Sequence, residues 1–271
     1  MEAFKVAAVQ LSAGLDTGDN LVQAEALVAD AAGTGAQMVA LPELFCWGGR
    51  QNEEPAAAET IPGPTSRRLG RLAAKLGIYL SAGSLLEKSG DGKLCFNTAP
   101  LFGPDGSLLA CYRKIHLFSV DMPGRATVDE TASRKHGELS VCITTNIARI
   151  GMSICYDLRF PELFRHLAAD GAELILLPSA FTKPTGEAHW HTLVATRAIE
   201  NQCYVVAANQ WGKTTHGFDN YGHSLIVDPW GEVLAEAAGE GSTVLTAELD
   251  PERLAEVRSR LPALRHRRLG L

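Results

Sequence analysis

The stretch RIGMSICYDLRFPELF, from Arg149 to Phe164, predicts a buried strand that ends at a cysteine and passes directly into a helix. Alternate apolar residues lead up to Cys155 with the two-residue period of a strand. Pro161 is favoured in the first turn of a helix, and Glu162 complements the helix dipole. We therefore expect Cys155 near the carboxyl end of a strand, where open α/β sheets place their ligands.

The rest of the chain alternates between strand and helix signals in the same way. Residues 4–12 predict a first strand, and a helix follows for which Asp19 is the candidate N-cap. A second long helix is expected from about Glu187 to Asn201. GPDG at 103–106 and DPWG at 228–231 predict the turns of two hairpins. This pattern indicates a layered α/β fold with mixed sheets, in one domain over residues 1–271.

Composition narrows the class of protein. The net charge of -6 provides no basic field, so neither nucleic acid nor an anionic membrane is an expected partner. No apolar run is long enough to span a bilayer, and MEAFKVAAVQ lacks the basic n-region of a signal peptide. The six cysteines are scattered without CxxC pairs, which predicts reduced thiols and a cytoplasmic location.

Three chemically active residues are predicted at strand ends. Glu43 follows one apolar strand, Lys114 ends a hairpin strand, and Cys155 ends the strand described above. Any one of them could be merely solvated, but all three at strand ends favour a shared site. A carboxylate base, a cationic donor to an oxyanion and a thiol nucleophile are the parts that acyl transfer requires.

Six segments, in this order, resemble the nitrilase (carbon–nitrogen hydrolase) superfamily over almost the whole chain. They are LPELF at Leu41, YRKIHLF at Tyr112, ICYDLRFPEL at Ile154, PSAFTKPTGEAHW at Pro178, RAIENQCYVVAANQ at Arg197 and YGHSLIVDPWGEVLAE at Tyr221. The resemblance implies a four-layer α-β-β-α sandwich and a homodimer or higher homo-oligomer. It also implies that Glu43, Lys114 and Cys155 are the catalytic triad.

The resemblance implies a fourth catalytic residue, Glu130, in the segment ETASRKHG. Thr131 and His136 stand where the family has serine and proline, so the loop differs from the family pattern although its glutamate matches. Glu130 is expected to orient Lys114. The backbone N–H of Tyr156 is expected to share the oxyanion with Lys114.

Three further residues are predicted to bind the substrate. Arg159 could bind a substrate carboxylate through two parallel hydrogen bonds from its guanidinium group, or it could form an ion pair with Asp157 or Glu162. Phe181 could pack on the substrate or in the core, and Thr185 could hydrogen-bond the carboxylate. No metal and no cofactor are predicted, because no ligand spacing and no complete dinucleotide loop is present.

The predicted activity is hydrolysis of a linear amide through a thioester, with ammonia release. The amino-acid sequences of the later segments resemble those of amidases of the Nit type. This resemblance implies that the substrate is an ω-amide of an α-keto acid or deaminated glutathione, a metabolite-repair substrate. N-carbamoyl-amine hydrolysis is the alternative within the superfamily. A glutaminase subunit and a non-catalytic scaffold are alternatives from other classes. The first requires a synthetase partner, and intact candidate residues argue against the second.

Overall fold

The structure, a computed structural model, describes residues 2–122, 126–215 and 219–269. The α-helices are α1 (Thr17–Gly33), α2 (Glu54–Ala57), α3 (Pro64–Leu76), α4 (Pro161–Ala169), α5 (Lys183–Asn201) and α6 (Pro251–Arg260). The first nine strands are β1 (Phe4–Gln10), β2 (Met38–Ala40), β3 (Tyr79–Ser81), β4 (Leu85–Lys88), β5 (Cys95–Phe102), β6 (Leu108–Arg113), β7 (Ser119–Met122), β8 (Ala126–Asp129) and β9 (Arg134–Lys135). The others are β10 (Val141–Thr144), β11 (Arg149–Met152), β12 (Leu174–Leu176), β13 (Tyr204–Ala207), β14 (Trp211–Lys213), β15 (Asp219–Tyr221), β16 (Leu225–Val227), β17 (Val233–Glu236) and β18 (Thr243–Leu249).

Most strands belong to two mixed sheets. The first sheet has eight strands in the order β18-β1-β2-β3-β5-β4, with β6 and β9 also paired to β5. The second has six strands in the order β10-β11-β12-β13-β16-β17. The parallel strands β1, β2 and β3 lie in the first sheet, and β11, β12 and β13 lie in the second. The pairs β7–β8 and β14–β15 form separate two-stranded ribbons.

The two sheets pack face to face between two layers of helices. One core cluster joins residues of both sheets, such as Val6 and Met38 of the first and Met152 and Leu176 of the second. Alternate residues of β1 and β2 face the other way and pack beneath α1 and α3. Helices α4 and α5 cover the outer side of the second sheet. The predicted α-β-β-α sandwich therefore describes the observed layers, because each sheet has two apolar faces to bury.

Two predicted helix starts were wrong. Asp16, not Asp19, is the N-cap of α1, since its side chain accepts a hydrogen bond from the backbone N–H of Asp19 at 2.9 Å. Helix α5 begins at Lys183 instead of near Glu187, because Pro184 occupies its first turn. Gly186 also lies within α5, where a Cβ would come within 2.4 Å of the ring of Tyr221.

The segment around Cys155 is confirmed as a strand that leads into a helix, but β11 ends at Met152 and not at the cysteine. A 3-10 turn, Cys155–Arg159, separates β11 from α4. Both predicted hairpins are present, as β5–β6 and β16–β17. Among the helices in the described ranges, none has both the length and the apolar character needed to cross a membrane.

Candidate active site

Glu43, Lys114 and Cys155 follow different strands, and the fold brings all three to one cavity. Glu43 follows β2, Lys114 follows β6 and Cys155 follows β11, so both sheets contribute. Their exposed fractions are 3%, 1% and 8%. The cavity therefore holds a carboxylate, an ammonium and a thiol that are almost fully withdrawn from water.

Both carboxylate oxygens of Glu43 accept hydrogen bonds. Oε1 accepts from Lys114 Nζ at 2.9 Å and from Asn97 Nδ2 at 2.8 Å. Oε2 accepts from the backbone N–H of Ala180 at 2.9 Å. Gln210 holds the same segment by donating to the backbone carbonyl of Glu43 at 2.7 Å. These contacts give the carboxylate a single orientation, which a general base requires.

Lys114 lies between two carboxylates. Its Nζ is 2.9 Å from Glu43 Oε1 and 3.0 Å from Glu130 Oε2. Burial by itself lowers the pKa of the ammonium, but the charges of Glu130 and Glu43 outweigh it and raise the pKa above the ordinary value. Lys114 is therefore a permanent cation over the accessible pH range, able to stabilise a developing oxyanion.

Glu130 is the centre of a buried ionic network. Its Oε2 accepts from the backbone N–H of Phe118 at 2.8 Å, and its Oε1 contacts Arg134 as well as Lys114. Arg134 in turn donates to Glu54, which is fully buried, at 2.8 Å. Burial raises the pKa of Glu130, but Lys114 and Arg134 lower it further than burial raises it, so the carboxylate stays ionised.

Cys155 stands on a strained backbone at the corner between β11 and the 3-10 turn. Its φ is 45°, in the left-handed region that non-glycine residues rarely adopt. Such a conformation costs on the order of 1–3 kcal/mol and persists only where neighbouring contacts hold it. One such contact is the hydrogen bond from Cys155 N–H to the carbonyl of Pro178 at 2.9 Å.

Asp157 supplies the other contacts that hold this corner. It is fully buried and accepts from the backbone N–H of Ile154 at 2.8 Å, from Tyr112 Oη at 2.7 Å and from His116 Nδ1 at 2.7 Å. Tyr112 and His116 flank Lys114 in the sequence. The carboxylate of Asp157 thus joins the corner at Cys155 to the segment that carries Lys114. Asp157 was predicted as a possible ion-pair partner of Arg159, but its carboxylate is bound by Ile154, Tyr112 and His116 instead.

The thiol of Cys155 is kept protonated by its surroundings. Burial raises its pKa well above the ordinary value, the charge of Glu43 raises it further, and the charge of Lys114 opposes both. The resting site therefore contains a neutral thiol beside a carboxylate and not a preformed thiolate.

Absorbance of the thiolate at 240 nm is expected to show no step from Cys155 between pH 7 and pH 9. The raised pKa keeps the thiol form as pH rises through this window, whereas an exposed cysteine ionises near pH ~8.5. The measurement is the difference between the titration curves of the wild type and of Cys155→Ala. A step below pH ~8.5 in that difference would show a preformed thiolate and contradict this reading.

The cavity has a volume of about 340 Å³, within the range of small-molecule sites, which is about 300–1,000 Å³. Trp47, Phe118 and Leu15 contribute apolar surface. The charged and polar residues that line it are Glu43, Gln51, Lys114, Glu130, Arg134, Cys155, Thr182, Gln210, Lys213, Thr214, Thr215 and Asn220. It suits a short substrate with polar groups at both ends.

The three predicted substrate-binding residues do not line this cavity. Arg159 approaches His189 Nδ1 at 3.3 Å and lies over the rings of Tyr156 and Phe181. Phe181 is buried against Trp190, with ring centroids 5.0 Å apart. Their assignment to the substrate stays a prediction.

Thr185 lies one side chain behind the cavity wall. Its Oγ1 is 2.7 Å from Oγ1 of Thr182, which does line the cavity. Thr185 can therefore orient Thr182 from behind, and its predicted contact with the substrate also stays a prediction.

Sequence reasoning missed Asn97, Arg134, Glu54 and Lys213. Asn97 and Arg134 are polar residues within or beside strands, and buried polar groups require partners. That signal could have marked them as candidates. It could not have identified the partners, because Arg134 and Glu54 are 80 positions apart.

One further cluster has the side chains of a metal site. His191 Nε2 and His223 Nδ1 lie 2.9 Å and 2.8 Å from the same oxygen of Glu236. The three side chains satisfy one another by hydrogen bonding, and none of them lines the cavity.

Comparison with known proteins agrees with this architecture. The carbon-nitrogen hydrolase family matches residues 5–259. The protein named "Omega-amidase NIT2" of Mus musculus is 41% identical over 271 residues, which are 100% of this chain and 97% of that protein.

Two crystal structures share the fold. The NitFhit protein of C. elegans matches with a TM-score of 0.91 at 38% identity, over 99% of this chain and 66% of that one. Nit3 of Saccharomyces cerevisiae, described as a member of branch 10 of the nitrilase superfamily, matches with a TM-score of 0.89 at 35% identity. That match covers 99% of this chain and 97% of Nit3. The predicted fold class is confirmed.

Proposed function

The chain belongs to the carbon–nitrogen hydrolase family, and from that premise we propose that it is a cysteine amidase for ω-amides of small α-keto acids. The family and the full-length relatives make it a hydrolase of carbon–nitrogen bonds other than peptide bonds. The observation that carries the proposal is the convergence of Glu43, Lys114 and Cys155 in one buried cavity.

The proposed first half-reaction forms a thioester. Glu43 accepts the thiol proton of Cys155 while the sulfur attacks the amide carbon, and the carbonyl π electrons move to oxygen. Lys114 and the backbone N–H of Tyr156 stabilise that oxyanion. The tetrahedral intermediate then collapses, and Glu43 returns the proton to the departing nitrogen, which leaves as the free amine or ammonia.

The second half-reaction hydrolyses the thioester. Glu43 takes a proton from a water molecule, which attacks the acyl carbon, and the thiolate leaves and is reprotonated by Glu43. Lys114 stabilises the second oxyanion as it did the first. Glu130 supports both steps from behind, because its ion pair with Nζ fixes the ammonium that faces the reacting oxygen.

The identity of the relatives favours a free ω-amide as the substrate. Relatives from Mus musculus, Homo sapiens and Xenopus laevis, 40–43% identical over the whole chain, are named omega-amidase. Deaminated glutathione contains the same α-keto acyl group, but its leaving group is a dipeptide amine instead of ammonia. The two substrates therefore differ in the leaving group and not in the thioester formed.

A substrate panel tests this proposal. Purified protein is given α-ketoglutaramate, deaminated glutathione, N-carbamoylputrescine, glutamine and a simple nitrile, with 2-oxoglutarate and ammonia both measured. We expect kcat/KM for α-ketoglutaramate to exceed that for glutamine by about 10–100-fold, because both carboxylates among the described residues of the cavity lining, Glu43 and Glu130, are already paired and cannot receive the α-ammonium of glutamine.

The panel also separates the alternatives. Formation of 2-oxoglutarate without ammonia, from deaminated glutathione only, would transfer the proposal to that substrate. Turnover of the carbamoyl amine alone would replace amide hydrolysis by N-carbamoyl-amine hydrolysis. Absence of turnover from a folded protein would favour a non-catalytic scaffold.

The proposal also includes a single domain, a homodimer and a cytoplasmic location. A single catalytic domain over 1–271 is supported by the core that both sheets share. A homodimer is supported by exposed Ile199 on α5 and Trp230 and Leu261 nearby, at 49%, 55% and 49% exposure, because apolar surface of this kind is suited to contact with a second copy. A cytoplasmic role in metabolite repair is consistent with six free cysteines.

A further inference from the structure

Two histidines and a glutamate meet at the edge of the second sheet, outside the cavity. His191 lies on α5, His223 precedes β16, and Glu236 is the last residue of the edge strand β17. One nitrogen of each imidazole and one carboxylate oxygen lie within 4.8 Å of one another. In the described ranges, no other three side chains of histidine, cysteine, aspartate or glutamate lie close enough together to share one ion.

The distances and the chemistry of this cluster suit a zinc ion. His191 Nε2 and His223 Nδ1 lie 2.9 Å and 2.8 Å from Oε1 of Glu236. Zinc binds imidazole nitrogen and carboxylate oxygen at about 2.0–2.2 Å, which separates the ligand atoms of a tetrahedral site by about 3.3 Å. An outward movement of the Glu236 carboxylate by about 0.5 Å is therefore enough to admit the ion. Three protein ligands leave the fourth position for water.

The two imidazoles are held in place by the surrounding structure. The backbone of His223 has a φ of 52°, and its carbonyl accepts a hydrogen bond from Trp190 Nε1 at 2.7 Å. The ring of Tyr221 packs against the ring of His223, with centroids 4.4 Å apart. A Cβ at Gly239 would come within 2.8 Å of Nε2 of His223, so glycine leaves room for the ring. His191 is fixed by α5, and the two nitrogen ligands are therefore largely preorganised.

Access and charge both favour a cation at this site. The side chains of His191, His223 and Glu236 are 40%, 28% and 38% exposed, so an ion can enter directly from solvent. Burial raises the pKa of Glu236, but the hydrogen bonds and charges of the two histidines lower it by more, and the carboxylate stays ionised. Burial also raises the pKa of Tyr221, and the charges of Glu187 and Glu236 raise it further. Two carboxylates thus contribute to a negative field around the imidazoles.

We propose that His191, His223 and Glu236 form a binding site for zinc, or for a divalent transition metal of the same class, outside the catalytic cavity. Each imidazole binds the ion in its neutral form, through the nitrogen that contacts Glu236, with its proton on the other ring nitrogen. The bound ion joins α5 to the hairpin of β16 and β17, so it is expected to stabilise the fold. The site is independent of the proposed amidase chemistry, because no step of that reaction uses these side chains.

The test is a calorimetric titration of metal-depleted, untagged protein with zinc chloride. It is made in a Cys155→Ala background, so that the thiol in the cavity does not compete for the ion. We expect one ion to bind per chain, and saturating zinc to raise Tm by about 5 °C. Adding His191→Gln or Glu236→Gln should weaken binding by more than about tenfold. Loss of a group that only orients a ligand already costs about 10–100-fold, and each of these variants removes a ligand itself.

Two controls define the ligands. His266→Gln removes an exposed histidine of the C-terminal segment, between Arg265 and Arg267, and should leave the affinity unchanged. Cobalt chloride in place of zinc gives a visible spectrum that depends on the ligands. We expect no sulfur-to-cobalt charge-transfer band, because the proposed ligands are nitrogen and oxygen. The Tm of each variant without metal shows whether it is folded.

The possible outcomes are distinct. Binding of one ion that both ligand variants weaken and His266→Gln does not would support the site. Binding that survives in both ligand variants, or a cobalt spectrum with the sulfur band, would assign the ion to other residues and overturn it. If millimolar zinc produces neither heat nor a rise in Tm, the three side chains form a hydrogen-bonded cluster only, and the proposal fails. No outcome depends on turnover, so the amidase proposal is tested separately.

Discussion

Replacing Cys155 by alanine is expected to lower kcat for the best substrate by about 10⁵–10⁶-fold. The expected loss is this large because no thioester can form and direct attack by water would have to replace two easier steps. The fold should be unaffected, since a smaller side chain at 8% exposure beside a cavity removes few contacts. Stopped assays with concentrated enzyme, together with intact-protein mass spectrometry of the acyl adduct in the wild type, measure the effect.

Cys111→Ser is the matched control, because Cys111 is an exposed free cysteine on β6 that does not line the cavity. It should keep wild-type kcat and acylate normally. If Cys155→Ala retained more than about one hundredth of the wild-type rate, Cys155 could not be the nucleophile, and the proposed mechanism would have to be abandoned.

Replacing Lys114 by methionine is expected to damage both activity and stability. Loss of one oxyanion donor should lower kcat by about 10²–10³-fold. The change also leaves Glu43 and Glu130 buried without their shared cation, which should lower the free energy of unfolding by about 3–5 kcal/mol. In thermal unfolding this corresponds to a Tm lower by about 10 °C for a protein of this size.

Lys135→Met provides the comparison for stability. Lys135 also has a carboxylate partner, Asp91, but both side chains are about 40% exposed, so the pair is screened by water. Its loss should change the free energy of unfolding by less than about 1 kcal/mol and leave kcat unchanged. Equal destabilisation by the two variants would contradict the assignment of Lys114 to a buried network.

Many elements of the fold could be predicted from the local sequence pattern. The alternation before Cys155, the proline that begins α4 and the turns of both hairpins are all present where they were predicted. The errors lie at helix starts, where Asp16 replaced Asp19 and Lys183 replaced Glu187. Helix ends depend on one or two hydrogen bonds, so neighbouring residues compete for the same position.

Some residues of the candidate site could likewise be predicted from the sequence, and others could not. Glu43, Lys114 and Cys155 could be singled out because each follows an apolar strand, and Glu130 because its segment resembles the family. Arg159 was expected near the substrate because it is close to Cys155 in sequence. The structure places its side chain beside His189, at the end of a 3-10 turn that the sequence did not reveal, and its contact with the substrate stays a prediction.

The order of strands and helices and the chemical groups at three strand ends could be predicted from local pattern, because periodicity and turn preference act between neighbouring residues. Which of these groups meet depends on the packing of the whole fold. Lys114 and Glu43 are 71 positions apart, and Ala180 and Glu43 are 137 apart. Contacts over such separations depend on how the two sheets pack and on the direction of each side chain.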